Sequence, residues 1–264
     1  MTIRSSAGIL LQDVAEHLDS LLRTTEVPDY PGAMNGIQVE HHGPVVRVAV
    51  AVDASLQTIQ GAIDGGANLL VVHHGLFWSG AQPLRGGTYR RFQQLIARDV
   101  AVYSSHLPLD LHPSLGNNTL LARALGLVPT AGFGKFQSIM VGVRGETDML
   151  TSSLVERAAE LARVEGGSLV STAISPAQRT RRWAICTGAG ATSDSLREAA
   201  AAQIDTLIVG EGAHHTGVEA PELGITILYA GHYATETFGV RALGAELERY
   251  FGLPWSFVHA PTGL

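Results

Sequence analysis

The run Asn68-Leu69-Leu70-Val71-Val72-His73-His74-Gly75 decides the fold. Its centre is short, branched and uncharged, bounded by Gly65-Gly66 before and Gly75 after, the pattern of a parallel strand covered on both faces. The two histidines then stand at the carboxyl end of a strand, where open α/β sheets place their ligands. Neighbouring residues on an extended chain point to opposite sides, so His73 and His74 converge only if the chain turns there; otherwise each serves a different ion. Gly75 permits the turn. By itself a His-His pair is more often a solvated loop feature, and the rest of the chain changes that balance.

Working outward, Val46 to Val52 reads as a strand, Asp53-Ala54-Ser55 as a loop and Leu56 to Asp64 as a helix. Downstream lie a helix from about Tyr89 to Arg98 and the strand Val100 to Ser104, which runs into Ser105-His106-Leu107-Pro108-Leu109-Asp110. Gly116-Asn117-Asn118 introduces a helix from Thr119 to Ala124 that closes on Gly126. Before all of these, Ile9, Leu10, Val14, Leu18, Leu21 and Leu22 recur at helical spacing, so the first element is an amphipathic helix ending before Pro28. Its His17 is expected to be solvated or to cap the helix. Asn35-Gly36 is a turn leading into a short strand, and His41-His42-Gly43-Pro44 reads as a solvent-exposed loop.

The second half repeats this order. Displacing the first unit by 137 positions carries Val48 onto Ile185, Asp53 onto Gly190, Ile59 onto Leu196 and Leu70-Val71-Val72 onto Leu207-Ile208-Val209. His73-His74 falls on Gly210-Glu211. Further on, the strand Ile225 to Ala230 runs into Gly231-His232 and then Glu236. Each half thus has a strand ending in a histidine with an acid four residues later, His106 with Asp110 and His232 with Glu236. The chain reads as a duplication. Between the halves, a strand at Ile139 to Val143 and a helix at Leu150 to Ala162 have no assignable place.

Composition bounds the function. The 264 residues are 45% hydrophobic and 16% charged with 30 glycines, a turn-rich globular protein of one large or two smaller α/β units rather than a disordered one. A net charge of −6, with no basic cluster longer than Arg179 to Arg182, argues against nucleic-acid binding; a solvated loop accounts for those arginines. The single Cys186 lies in the apolar run Trp183 to Thr187 and reads as a buried small hydrophobe, so no disulfide framework exists and a reducing cytoplasm fits. Asp13, Glu16 and Asp19 break the apolar centre a signal peptide would need, and no span suits a membrane helix.

Strand-end residues of α/β sheets open onto one edge, so His73, His74, His106, Asp110, Glu211, His232 and Glu236 are expected to meet in one cleft. Imidazole and carboxylate donors without thiolates suit Zn, Fe, Mn or Mg, and a surplus beyond four donors points to two ions. Two metals about 3.5–4 Å apart clamp a substrate oxygen and lower the pKa of a shared water from roughly 15.7 to about 7, which makes hydrolysis the natural reaction. Glu236 is suited to bridge the ions, and His106, outside the metal shell, to pass protons to a leaving group. The competing explanation for each His-to-acid pair is a helix start, where carboxylates are favourable; two copies together with His73-His74 favour metal. Thr187-Gly188-Ala189-Gly190-Ala191-Thr192 reads as a tight turn resembling a phosphate cradle, without the P-loop lysine. His112 precedes Pro113 in a loop, and His214-His215 opens a helix with one of the two near the cleft.

Val72-His73-His74-Gly75-Leu76-Phe77-Trp78, Ser105-His106-Leu107-Pro108-Leu109-Asp110-Leu111-His112-Pro113, Gly116-Asn117-Asn118, Gly210-Glu211 and Gly231-His232-Tyr233-Ala234-Thr235-Glu236 together resemble the NIF-three-like family of dinuclear-metal-centre proteins, many of which carry the name GTP cyclohydrolase I type two. The resemblance runs from Asn35 to near the C-terminus. It implies two related three-layer α/β lobes from an internal duplication, with the metal site in the cleft between them, and a ring-shaped homohexamer. It also implies two divalent cations per subunit held by His73, His74, Asp110, His232 and Glu236, with His106 and Glu211 beside them as catalytic groups. The lobes are expected at residues 1–130 and 131–264, intertwining allowed, without the inserted domain of some relatives. The functional expectation is a metal-dependent hydrolase of a nucleotide or similar phosphorylated small molecule. The alternative is a non-catalytic protein that stores or delivers metal or acts as a regulatory scaffold.

Overall fold

The structure, a computed structural model, describes residues 8–264; the leader reading of Met1 to Leu22 therefore falls partly outside the described residues. In chain order the elements are β1 (Ile9–Leu10), α1 (Leu11–Leu22), β2 (Gly36–Val39), β3 (Pro44–Val45), β4 (Val48–Asp53), α2 (Leu56–Asp64), β5 (Leu69–His74), α3 (Gly86–Ala97), β6 (Ala101–Ser104), α4 (Leu107–Asp110) and α5 (Asn117–Ala124). There follow β7 (Ala131–Phe136), β8 (Ile139–Leu150), α6 (Thr151–Val164), β9 (Val170–Ser171), β10 (Arg179–Cys186), α7 (Ser193–Ala201), β11 (Thr206–Val209), α8 (His214–Glu222), β12 (Thr226–Tyr229), α9 (His232–Phe251) and β13 (Trp255–Phe257). The chain divides into two compact units, residues 1–109 with 239–260, and residues 110–238 with 261–264.

The division differs from the expected one at residue 130. Leu121 and Ala122 of α5, with Leu125 just beyond its end, pack with Trp183, Ile185 and Ile208, so that helix belongs to the second core, and Asp110 falls in the second unit. The C-terminal residues 239–260 return to the first unit, where β13 pairs parallel with β4.

In the first unit the sheet order is β13-β4-β5-β6-β2, with β4, β5 and β6 parallel and β2 antiparallel at the edge. Strand alternation sorts its side chains. Ala49, Ala51, Leu70, Val72 and Val102 face Ile59 and Ala62 of α2 and Leu95 of α3, while Tyr103, fully buried among the others, donates its hydroxyl hydrogen to Asp19 of α1 at 2.8 Å.

In the second unit the order is β7-β8-β10-β11-β12-β9, with β10, β11 and β12 parallel and, as in the first unit, an antiparallel edge strand beside the last of the parallel run. Ala184, Leu207, Val209 and Ile227 pack under α7 and α8, and Trp183, Ile185, Ile208 and Leu228 under α5 and α6. Each unit is thus three-layered. The duplication extends to the helix caps. Ser55 accepts from the Thr58 backbone N–H at 3.1 Å to start α2, and Thr192 accepts from the Ser195 N–H at 3.0 Å to start α7. The segment from 131 to 164, unplaced by sequence, is the antiparallel edge β7-β8 laid on β10, followed by α6 on the buried face.

Several local expectations give way. Arg179 to Arg182 lie on β10, not in a loop, because Thr180 is buried and pairs with Met149 of β8; Arg179 meets Asp148 at 2.5 Å. His17 is not solvated: its ring stacks 3.9 Å from that of Tyr250 and its Nε2 lies 3.1 Å from Glu246. His42 is exposed as expected, but His41 is partly buried with its Nε2 3.1 Å from the Asn68 amide nitrogen. No helix among the described residues is long and apolar enough to cross a membrane.

Candidate metal centre

Parallel strands of the first unit deliver its imidazoles. β4 and β5 are in register so that Asp53 pairs with His74 at their shared carboxyl end. The rings of His73 and His74 converge, with centroids 4.7 Å apart, and the loop after β6 brings His106 within 4.9 Å of His73 and 5.7 Å of His74. One nitrogen of each of these three rings lies within 4.8 Å of the others, a group that could hold a metal ion.

Each ring is held from behind. His73, fully buried, has its Nδ1 3.0 Å from the Ser105 carbonyl oxygen. His74 Nδ1 lies 2.9 Å from Asp53 Oδ1, and His106 Nδ1 lies 2.8 Å from Asp29 Oδ1. A carbonyl or ionised carboxylate can only accept, so each Nδ1 carries the hydrogen and the lone pair resides on Nε2. Asp29 is itself gripped by the Leu107 N–H and the Asn35 amide, both at 2.9 Å. Burial alone would raise its pKa, but the hydrogen bond and charge of His106, then Asn35 and Leu107, outweigh that and hold it below the usual carboxylate value. Trp78 stands edge-on to His106 and His74, at centroid distances of 4.7 and 5.6 Å.

In the second unit His232 opens α9. Its Nδ1 lies 2.8 Å from Glu211 Oε1, and its Nε2 lies 3.1 Å from Oε2 of buried Glu236, one helical turn on. Burial would lower the His232 pKa, but hydrogen bonds and charge from Glu236 and then Glu211 raise it to about 9. Asp110, also buried, accepts from the Asn117 amide at 2.8 Å. Asn118 ties the neighbourhood together, donating to the Val141 carbonyl at 3.0 Å and accepting from the Thr187 N–H at 2.9 Å. Burial, then the charges of Asp110, Glu236 and Glu198, push the Cys186 thiol up to about 12.

The turn after β10 lies against the donors. Gly188 has φ +61, its carbonyl accepts from the Glu211 N–H at 2.8 Å, and its own N–H donates to Thr235 Oγ1 at 3.1 Å. A Cβ at this position would overlap Glu236 Oε1 and come 3.2 Å from His232 Nε2. The glycine-rich turn that resembles a phosphate cradle is therefore shaped by the approach of backbone to ligand-type atoms.

The first unit therefore groups His73, His74 and His106, and the second groups His232 with Glu236 and Glu211. Asp110 lies with Glu236 in the surroundings of Cys186. His112 instead accepts from the Leu115 N–H at 3.0 Å, and His215 Nε2 lies 3.0 Å from Ser193 Oγ on an exposed helix start. Sequence reasoning missed Asp29 and Asp53 as partners of the rings. Asp53 carried a signal, an acid at the end of the strand beside β5, whereas Asp29 sits between Pro28 and Tyr30-Pro31 with no periodicity to mark it. The donors fit a divalent cation: nitrogen and oxygen atoms, no thiolate, and every ring oriented by an acceptor behind it, the usual surrounding of metal-bound histidine.

This fold and donor set define a class of α/β proteins whose strand ends carry groups that could hold a metal ion, and comparison narrows it. Residues 9–261 match the family described as Duf34/NIF3 (NGG1p interacting factor 3), and the chain belongs to that family. A GTP cyclohydrolase 1 type 2 homolog of Halobacterium salinarum is 40% identical over 96% of this chain and 99% of its own length. One of Deinococcus radiodurans is 39% identical over 96% of this chain and 94% of its own. A solved structure titled protein ybgI, of unknown function, superposes with a TM-score of 0.87 at 31% identity, covering 97% of this chain and all of that one.

Proposed function

We propose that the chain is a metal-dependent hydrolase that acts on a nucleotide or similar phosphorylated small molecule. Two divalent cations would be held by His73 and His74 of the first unit and Asp110, His232 and Glu236 of the second. The observation that carries the metal reading is the common orientation of four imidazoles, His73, His74, His106 and His232, each with an acceptor at Nδ1. The name of the relatives, GTP cyclohydrolase 1 type 2 homolog, supports a nucleotide substrate.

A bound dication would supply Lewis-acid polarisation and bring the pKa of a water toward neutrality. The chain's own residues do the rest. Asp53, Glu211 and Asp29 fix the rings of His74, His232 and His106, which leaves His106 Nε2 placed to carry the proton of the reaction. A second reading, metal storage or delivery, is favoured by one observation: His106 lies in the same donor group as His73 and His74, where it would help to saturate an ion.

Elemental analysis combined with a nucleotide panel separates the two. His73→Ala and Glu236→Ala should each lose at least one ion; full occupancy in both would end the assignment. His106→Ala should keep its metal and lose turnover, with base opening and phosphate release followed separately. Loss of metal there, with no turnover by the parent protein, favours storage.

A further inference from the structure

Beside the imidazole group, within the first unit, lies a pocket of about 430 Å³ whose walls include Asp53, His74, Leu76, Trp78, Arg91 and Phe92. Two features give it a chemistry. Trp78 is partly exposed and stands edge-on to two of the imidazoles, so an aromatic surface adjoins the donor group. Arg91, on α3, donates once, from Nη1 to the Ala54 carbonyl oxygen at 3.2 Å. Among the described residues it has no carboxylate partner, and Asp53, the one acid lining the pocket, is engaged by His74 instead. A guanidinium offers five N–H donors in a planar fork that matches a phosphate. Fixed by a single backbone contact beside an apolar wall, it is a half-built anion site. An aromatic face with a guanidinium at the rim is complementary to a flat heterocycle bearing an anionic group.

We infer that this pocket is the substrate-recognition compartment of the centre, in which Trp78 stacks on a planar heterocycle and Arg91 grips its phosphate. The inference rests on the hydrolase reading for its purpose but on separate residues for its evidence: neither Trp78 nor Arg91 is a metal donor, so the two readings fail separately.

The test is binding, by calorimetry and tryptophan fluorescence, of guanosine monophosphate, guanosine and inorganic phosphate to the metal-loaded protein, its Arg91→Met variant and its Trp78→Leu variant. Arg91→Met should weaken guanosine monophosphate by about tenfold or more and leave guanosine unchanged, since only the phosphate loses a charge-assisted hydrogen bond. Trp78→Leu should weaken both guanosine compounds by about tenfold, because both lose the base's stacking partner. Metal content should stay at the parent level in both. Equal binding of the nucleotide by parent and Arg91→Met, or no binding by the metal-loaded parent, overturns the pocket whatever the metal does. The expected binding pattern without turnover upholds the pocket and overturns the hydrolase.

Discussion

The two units use the same scaffold positions for opposite chemistry. In the first, the middle parallel strand ends in His73-His74, and the neighbouring strand supplies the carboxylate, Asp53, that turns His74. In the second, Glu211 follows the middle strand, and the imidazole it turns, His232, comes from the neighbouring one. One copy thus presents three nitrogen donors and the other an imidazole among carboxylates. The repeated scaffold keeps the place where a donor atom stands and leaves the donor type free. Carboxylates bring negative charge that offsets a dication, and neutral imidazoles bring geometry and softer donors. The two copies are therefore complementary, not redundant.

The largest effect should come from breaking the second copy without touching a donor. Gly188→Ala places a methyl group that overlaps Glu236 Oε1 and crowds His232 Nε2 at 3.2 Å, at a left-handed backbone position that already disfavours a side chain. Elemental analysis should then show at least one ion lost per chain, while thermal unfolding stays a single cooperative step because the cores under α7 and α8 are untouched. Full metal content in Gly188→Ala would mean that this turn does not constrain the donor pair.

Much of this was readable in the sequence for a physical reason. Buried parallel strands are near-continuous apolar runs, so β4, β5, β6 and β11 announced themselves, and the donors stood at their ends. Helices α2 and α5 were bounded by their own caps and glycines. What escaped was set by tertiary contact. The domain boundary near Asp110 depends on which core Leu121 and Leu125 join, and nothing in α5 alone encodes that. β8 carries glycine, charge and apolar residues in irregular order because it lies near an edge, so only its start was visible. His17 looked like any helix-face histidine until Tyr250, more than two hundred residues away, stacked on it.

An intermediate effect should follow from loosening the rings and leaving every donor in place. Asp53→Asn and Glu211→Gln each replace an ionised acceptor by an amide that can hold the ring less firmly and adds no basicity. Removing such a supporting partner lowers metal affinity by about 10–100-fold. Competition with a chelator measures it. Each variant should weaken at least one ion, Asp53→Asn through His74 and Glu211→Gln through His232. Parent-level affinity in Glu211→Gln beside a loss in Asp53→Asn would mean that the second unit's ring needs no such support.

The smallest and most diagnostic effect is in pH. In the metal-free protein the Glu236 and Glu211 carboxylates raise His232 from 6.5 to about 9, so at neutral pH it binds a proton that a cation must displace. Below about 9 the affinity of the second unit's donors should fall about tenfold per pH unit for the one proton exchanged, and level off above it. Folding of the metal-free chain runs the other way. A pKa raised on folding contributes stability that is fully present below the unfolded value of 6.5 and lost as pH rises through about 9. The melting temperature of metal-free protein should therefore decline across that window from this group, while the increment added by metal grows. Glu236→Gln removes the principal cause of the raised pKa, so its metal-free melting curve should be flatter over the same range. An unchanged slope in Glu236→Gln would place the titration at a group other than His232.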